Sequence, residues 1–329
     1  MATLAHPLDQ ISLGKIVQIR EGLLEAARGG ARVYRFESGD PNFSVPGHAL
    51  AALEAAARAG KTHYIPNNGI PELRAALAEK VRRKNGIEGV RAEDVFVTSG
   101  AMHALYVTFA ALLSPGDQVI VPDPMWTEVI ENIRLAGGEP VRVELREEEG
   151  YAYTPEAIAA ALTPATTAIF LNTPHNPTGA MLPEASLRAI VDIARARGLW
   201  VVADEAYEDV VYAPARHVSI ASLAPEYAER IVSIYSFSKS HAMSGLRTGY
   251  LVARAAVLHD RVPKLLRCTV NGVNSLAQWA ALAAVEGHQG HLEEMQREYR
   301  ERRDLLVGAL SSIEGVRPFT PQGAFFVWA

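Results

Sequence analysis

The clearest chemical capacity lies in SIYSFSKSHAMSGLRTGY, residues 233–250. One lysine, Lys239, stands among serines just past an apolar run, and Arg247 follows eight residues later. An amine held at the end of a buried strand gives up its proton more readily than one in water and can then attack a carbonyl carbon. Ser236 and Arg247 on either side suit a phosphate monoester. A solvated loop lysine is the plain alternative, and Lys239 alone does not exclude it.

Other apolar runs end in equally specific groups. Ser99-Gly100-Ala101-Met102-His103 follows DVFVT and opens a helical pattern. Its small residues leave backbone N–H groups free at a positive helix end, which suits phosphate, although glycine in such turns is often only steric. Trp126, in PDPMW, offers a ring for stacking or an ordinary rim aromatic. Asn176 sits in NTPHNPTG between two prolines, so its amide is framed to donate to one acceptor, unless the segment is simply a turn. Asp204 ends the apolar run LWVVAD, where a carboxylate loses water and needs a cationic or donor partner, or else caps the next helix. Tyr207 follows three residues later. An amine, a carboxylate, an oxygen partner, a stacking ring and an anion site are together what pyridoxal 5′-phosphate requires.

The elements that must position these groups are legible as short, continuously apolar runs alternating with helical patterns. DVFVTS, DQVIVP, EPVRVEL, TAIFLN, LWVVAD, RIVSIYS and TGYLVA read as strands. Continuous rather than alternating apolarity means burial on both faces, so the fold class is α/β with a mostly parallel seven-stranded sheet flanked by helices. In such sheets ligands bind beyond the carboxyl ends of the strands. An amphipathic helix is predicted over residues 14–30 and a long charged one over 293–313. The expected organisation is a large cofactor-binding domain, residues 46–285, with a smaller domain built from residues 1–45 and 286–329.

Length and composition fit this reading. The 329 residues, 49% hydrophobic and 21% charged, suffice for a sizeable core. A net charge of −5 without basic blocks argues against nucleic acid, and the longest apolar run is too short to span a bilayer. The single Cys268 excludes an internal disulfide and suits a reducing compartment, so a cytoplasmic location is expected. His288 and His291 have H-x-x-H spacing, but flanking glycines and the lack of a further ligand leave no metal site expected. VRRK, residues 81–84, reads as a solvated helix end.

The segments SGDPNFSVP, THYIPNNGIPELRAALAEK, VTSGAMHAL, PDPMW, NTPHNPTG, VVADEAY, SFSKSHAMSGLRTGY and PQGAFFVW resemble, in order and spacing, the class I/II aminotransferases of the aspartate aminotransferase family, which are fold-type I pyridoxal-phosphate enzymes. The resemblance implies a Schiff-base role for Lys239, which would also move protons in a ping-pong transfer between an amino acid and a 2-oxo acid. It makes Asp204 the partner of the ring nitrogen, and Tyr207 and Asn176 the donors to the ring oxygen. Trp126 matches the stacking aromatic. Ser236, Arg247 and the main chain at Gly100, Ala101 and Met102 match the phosphate site. Tyr64 matches a tyrosine that reaches the neighbouring subunit's phosphate, implying a homodimer, and Gly39 and Asn176 match substrate contacts. The family's carboxylate-binding arginine lies beyond the GAFF segment, so a chain ending at Ala329 is expected to be a truncated form. No arginine matches the family's distal-carboxylate position near Thr269 and Asn271, and Met102 stands where another branch has lysine. A neutral or aromatic amino donor is therefore expected over a dicarboxylic one. A C–S β-lyase or an aminocyclopropane-carboxylate-synthase-like enzyme would share the same cofactor residues. A non-catalytic cofactor-binding protein is the remaining alternative.

Overall fold

A computed structural model describes residues 8, 9, 11, 12 and 14–329. All seven expected strands form: β1 (Val95–Thr98), β2 (Gln118–Asp123), β3 (Glu139–Glu144), β4 (Thr166–Asn172), β5 (Trp200–Asp204), β6 (Ile231–Ser236) and β7 (Gly249–Val252). They make one sheet in the order β1-β7-β6-β5-β4-β2-β3. Neighbours pair in parallel except at β7, which runs antiparallel to both β6 and β1. That reversal has a consequence for the site. The amino end of β7 lies at the same edge as the carboxyl ends of the other strands, so Arg247, just before β7, reaches the edge where Asp204 and Ser236 end theirs.

Helices cover the sheet: α1 (Lys15–Arg28), α2 (Gly47–Arg58), α3 (Pro71–Asn85), α4 (Gly100–Leu112), α5 (Thr127–Leu135), α6 (Pro155–Ala161), α7 (Glu184–Arg197), α8 (Phe237–Ser240), α9 (Ala256–Thr269), α10 (Ser275–Glu286) and α11 (Gly290–Ser311). Local sequence sets several of the boundaries. Pro71 starts α3 where a missing N–H costs nothing, and Gly86 ends it at φ +68°, a conformation that glycine enters without penalty.

Strand side chains alternate between two cores. Ile169 and Leu171 of β4 join Leu73, Leu77 and Tyr235 on one face, while Phe170 joins Phe109, Val202 and Leu251 on the other. Each fully buried Leu, Ile or Phe contributes about 2 kcal/mol by leaving water, so the central strands are rigid supports. The edge strand β3 departs from the continuous-burial expectation: only Val143 of its six residues is buried, because one flank has no neighbour.

The chain ends behave unequally. Phe43 and Phe325 both pack on Tyr299 of α11, at ring separations of 5.3 and 5.0 Å. Arg302 donates to Asn42 at 2.7 Å, so the two ends do meet. Val210 and Tyr212 of the large block share that cluster. The predicted amphipathic α1 forms, yet it buries none of its residues. Among the described residues no helix is long and apolar enough to cross a membrane.

VRRK is not simply solvated. Val81 is buried, and Lys84 forms an ion pair with Asp209. His288 and His291 also depart from expectation. Helix α11 begins at Gly290 and carries His291, whose Nε2 lies 2.9 Å from Nδ1 of His241, and His288 packs against His48.

Gln278 of α10 ties that helix to the start of α3. It is fully buried, accepts from the Ile70 N–H and donates to the Val273 carbonyl, each at 2.9 Å. Gln278→Leu strands both backbone groups and should cost on the order of 2 kcal/mol or more. Urea denaturation should show this as a lowered midpoint, and an unchanged midpoint would contradict it.

Candidate active site

The sheet edge where six strands end and β7 begins carries a cleft of about 300 Å³. Ala101, Met102, Trp126, Asn176, Asp204, Tyr207, Ser236, Lys239, Arg247 and Gly39 all line it, which brings ten of the twelve sequence-predicted residues together. Gly100 abuts it: a Cβ there would lie 2.8 Å from an Arg247 guanidinium nitrogen. Tyr64 does not enter it. That side chain is 91% exposed and lines a separate groove with Asn271 and Gly272.

One network suspends the ring-facing groups. Asp204 ends β5 in register with Asn172 at the end of β4. The Asn172 amide donates to the Asp204 carbonyl at 3.1 Å and accepts from the Asn176 N–H at 2.7 Å. The Asn176 carbonyl in turn accepts from the Trp126 N–H at 3.2 Å. Asn172 was not among the expected residues. An asparagine closing an otherwise apolar strand was the available signal, since a buried amide must be spent on something.

Lys239 rides on α8, whose first turn is capped by the Ser236 hydroxyl accepting from the Ser238 N–H at 3.2 Å. Its ammonium donates to the Gly39 carbonyl and lies 5.8 Å from the Tyr207 ring centre and 5.6 Å from that of Phe325. Burial and the positive charge of Arg247 lower the Lys239 pKa, while Asp40 and Asp204 oppose the shift. Burial also pushes Asp204 up to about 6, with Glu205 adding to the rise and the Ala206 N–H and Lys239 pulling against it. Desolvation keeps the Tyr207 phenol protonated well beyond neutral pH, a hydrogen-bond donor.

The anion end is built by close backbone approach. A Cβ on Gly249 would meet Gly100 C, Ala101 N and Tyr235 O at 2.8–2.9 Å, so only glycine lets the start of α4 lie against β7. Arg247 adopts φ +51° and anchors one nitrogen on the Ser244 carbonyl at 2.8 Å. The donor types around this cleft fit pyridoxal phosphate: free N–H groups, a hydroxyl and a guanidinium at one end, and a carboxylate, a phenol, an amide and an amine around the rest.

The cleft also holds residues that sequence reasoning missed, among them Ile16, Arg20, Glu37, Glu128 and Phe326. These come from α1, its following segment, α5 and the C-terminal stretch, and only tertiary structure gathers them. The nearby histidines are structural. His103 bridges the Ser99 N–H and the Thr269 hydroxyl, and His175 pairs with Thr178. A larger groove of about 480 Å³ lies elsewhere, beside Glu208 and His217. With Glu205, these two form the one group among the described residues spaced to hold a metal ion. Its charges are already matched, because Lys80 pairs with Glu208 and His217 with Glu205.

Comparison with known proteins places the geometry in context. A family model described as aminotransferase class I and II matches residues 31–329. A probable aspartate/prephenate aminotransferase of Thermus aquaticus is 39% identical, over 99% of this chain and 84% of that protein. An arginine–pyruvate transaminase of Pseudomonas aeruginosa is 40% identical, over 91% and 75% respectively. Among solved structures, an aspartate aminotransferase from Thermus thermophilus with maleate superposes with a TM-score of 0.94 at 36% identity, covering 99% of this chain and 85% of that one.

The Asp204 shift makes a pH prediction for the cofactor-free protein. Its folded pKa, about 6, exceeds the ordinary 3.8, so the folded state holds the proton more tightly than the unfolded state. Below pH 3.8 both states are protonated and there is no penalty. The penalty grows as pH rises to about 6 and stays near 3 kcal/mol above it. Asp204→Asn should therefore stabilise the cofactor-free protein above pH 6, with the gain fading toward pH 4. Urea midpoints across pH 4–8 test this, and a gain that does not vary with pH would contradict it.

Proposed function

The chain belongs to the class I and II aminotransferases and is a pyridoxal-phosphate-dependent transaminase, and we propose that Lys239, Asp204 and Tyr207 carry its catalysis. The observation supporting this most directly is that Asp204, at the end of β5, and Lys239, on the helix that follows the neighbouring β6, line one cleft of ligand size. When bound, the cofactor supplies a sink for the electron pair left at the substrate α-carbon. Lys239, its basicity lowered by burial, would hold the cofactor through its amine and, once a substrate amine has taken its place there, would be free to take the α-carbon proton. Asp204 would keep a proton on the ring nitrogen, because a buried carboxylate stays charged most easily beside a cation. Tyr207 and Asn176 would donate to the ring oxygen, and Trp126 would provide an aromatic wall. Ser236, Arg247 and the N–H groups of Gly100, Ala101 and Met102 would bind the phosphate. The Gly39 carbonyl receives the Lys239 ammonium here, and with that lysine on the cofactor Gly39 and Asn176 would be free to meet the substrate.

We also propose a homodimer in which Tyr64, exposed here, completes the partner's phosphate site, and a cytoplasmic location. Residues 46–285 would form the cofactor-binding domain, with residues 1–45 and 286–329 as the smaller one. We also propose a neutral or aromatic amino donor over a dicarboxylic one, because Met102, Thr269 and Asn271 provide no cation for a second carboxylate.

Two measurements check this reading. Mixing cofactor-loaded protein with an amino acid and no oxo acid should transfer one nitrogen per site and then stop. Continuous release of ammonia and pyruvate would instead indicate elimination. Lys239→Ala should abolish the transfer and the borohydride-sensitive visible absorbance together. For the dimer, Tyr64→Phe should weaken cofactor binding by about tenfold, the value of one charge-assisted hydrogen bond, and an unchanged Kd would contradict the shared site.

A further inference from the structure

Lys239 stands on α8, a helix of four residues, which is too short to keep its shape without outside support. Its first residue is secured: the Phe237 N–H donates to the Thr248 carbonyl at 3.2 Å, and the Ser236 hydroxyl caps the turn. Toward the other end packing is incomplete. Phe237, Ser240 and His241 line a second cavity of about 230 Å³, which Gln289 and Leu292 at the start of α11 also line. The His241 ring is 8% exposed and lies along Phe237, with ring centres 5.5 Å apart. Its Nδ1 meets Nε2 of His291, in the first turn of α11, at 2.9 Å. Among the described residues this is the only side-chain hydrogen bond joining residues 237–241 to α11. Helix α11 also carries Tyr299, on which Phe325 packs, and Phe325 lies 5.6 Å from the Lys239 ammonium.

We propose that the His241–His291 pair is a positioning device for Lys239, holding its short helix against α11 so that the amine stays in the dry part of the cleft. This deepens the transaminase reading and rests on its assignment of Lys239. Packing alone does not account for the pair, because buried imidazoles carry a desolvation cost that apolar side chains of similar size avoid. The bond between the rings offsets that cost. Both rings are neutral. Burial lowers the His241 pKa to about 3, with His291, Lys84 and Lys80 adding to the shift and Asp209 opposing it. Burial and His48 lower that of His291, against the main chain of His288 and Ser240 and the charge of Asp209. Two neutral imidazoles form one directed bond, one nitrogen donating and the other accepting, so the contact persists through neutral pH. Without it, α8 can relax into the adjoining cavity and carry Lys239 with it, and a displacement of about 1 Å at a reacting group costs on the order of a hundredfold in rate.

The test reads Lys239 itself. In the cofactor-free protein, the pH profile of its trace acetylation by acetic anhydride, followed by peptide mass spectrometry, reports the amine's pKa. His241→Phe keeps a ring against Phe237 and His291→Leu keeps an apolar side chain, but each removes the bond. Each should move the Lys239 profile up toward the ordinary 10.5. The double variant should move it no further than either alone, because a shared bond is lost only once. His291→Gln, whose amide can take the place of Nε2, should keep the wild-type profile. In the cofactor-loaded enzyme the Phe and Leu variants should lower kcat by about tenfold or more with little change in KM, and the Gln variant should restore it. An unchanged profile in both single variants, additive shifts in the double variant, or a Gln variant as impaired as the Leu one overturns the proposal while leaving the transaminase reading intact. If one variant fails to fold, the other reads the same bond. If the loaded wild type turns over no amino acid, the transaminase reading fails, and the cofactor-free profile still decides the role of the pair.

Discussion

The molecule depends on keeping a carboxylate and an amine dry at adjacent strand ends. Asp204 and Lys239 face one cleft from β5 and from the helix that follows β6, and burial shifts both away from their solution behaviour, the acid upward and the amine downward. Each shift opposes charge in the cofactor-free protein. In the proposed reading, a ring that brings its own cationic nitrogen and an aldehyde would relieve both, so the site would be strained alone and satisfied when loaded.

Much of the rest serves to hold that pair in register. The parallel pairing of β4, β5 and β6 sets Asn172 beside Asp204. The amide of Asn172 then fixes the Asn176 loop, and through it the start of α5 at Trp126. On the other side, the reversal of β7 returns the chain to the same edge, and the Gly100–Gly249 contact brings the free N–H groups of α4 against it. Behind Asp204, Glu205 is held by Ser219 and by His217 at 2.8 Å, so the second carboxylate of the Asp-Glu pair faces a different network.

Six of the seven strands were legible because burial on both faces leaves short, continuous apolar runs, while β3 at the edge is mostly exposed. Asp204, Ser236, Lys239, Asn176, Trp126 and the Gly100–Met102 turn were legible because each stands at or just past the end of such a run, whereas Tyr64 and Gly39 were suggested only by the resemblance. What was not legible depended on contacts between distant segments. No local pattern marks β7 as the reversed strand. Ile16, Arg20, Glu37 and Glu128 look like ordinary helix or loop residues until α1 and the segment after it lie across the cleft. The imidazole neighbours of His288 and His291 come from α2 and from beyond α8, more than forty positions away in sequence. Local breaker residues therefore suggested isolation where the fold supplies company.

The central claim is that Asp204 holds a proton on the cofactor's ring nitrogen. Loading the protein with cofactor labelled with ¹⁵N in the ring and recording its chemical shift across pH 6–9 tests this most directly. The account predicts a protonated nitrogen throughout that range in the wild type and a deprotonated one in Asp204→Ala. A neutral nitrogen in the wild type, or a protonated one that survives loss of the carboxylate, would contradict it.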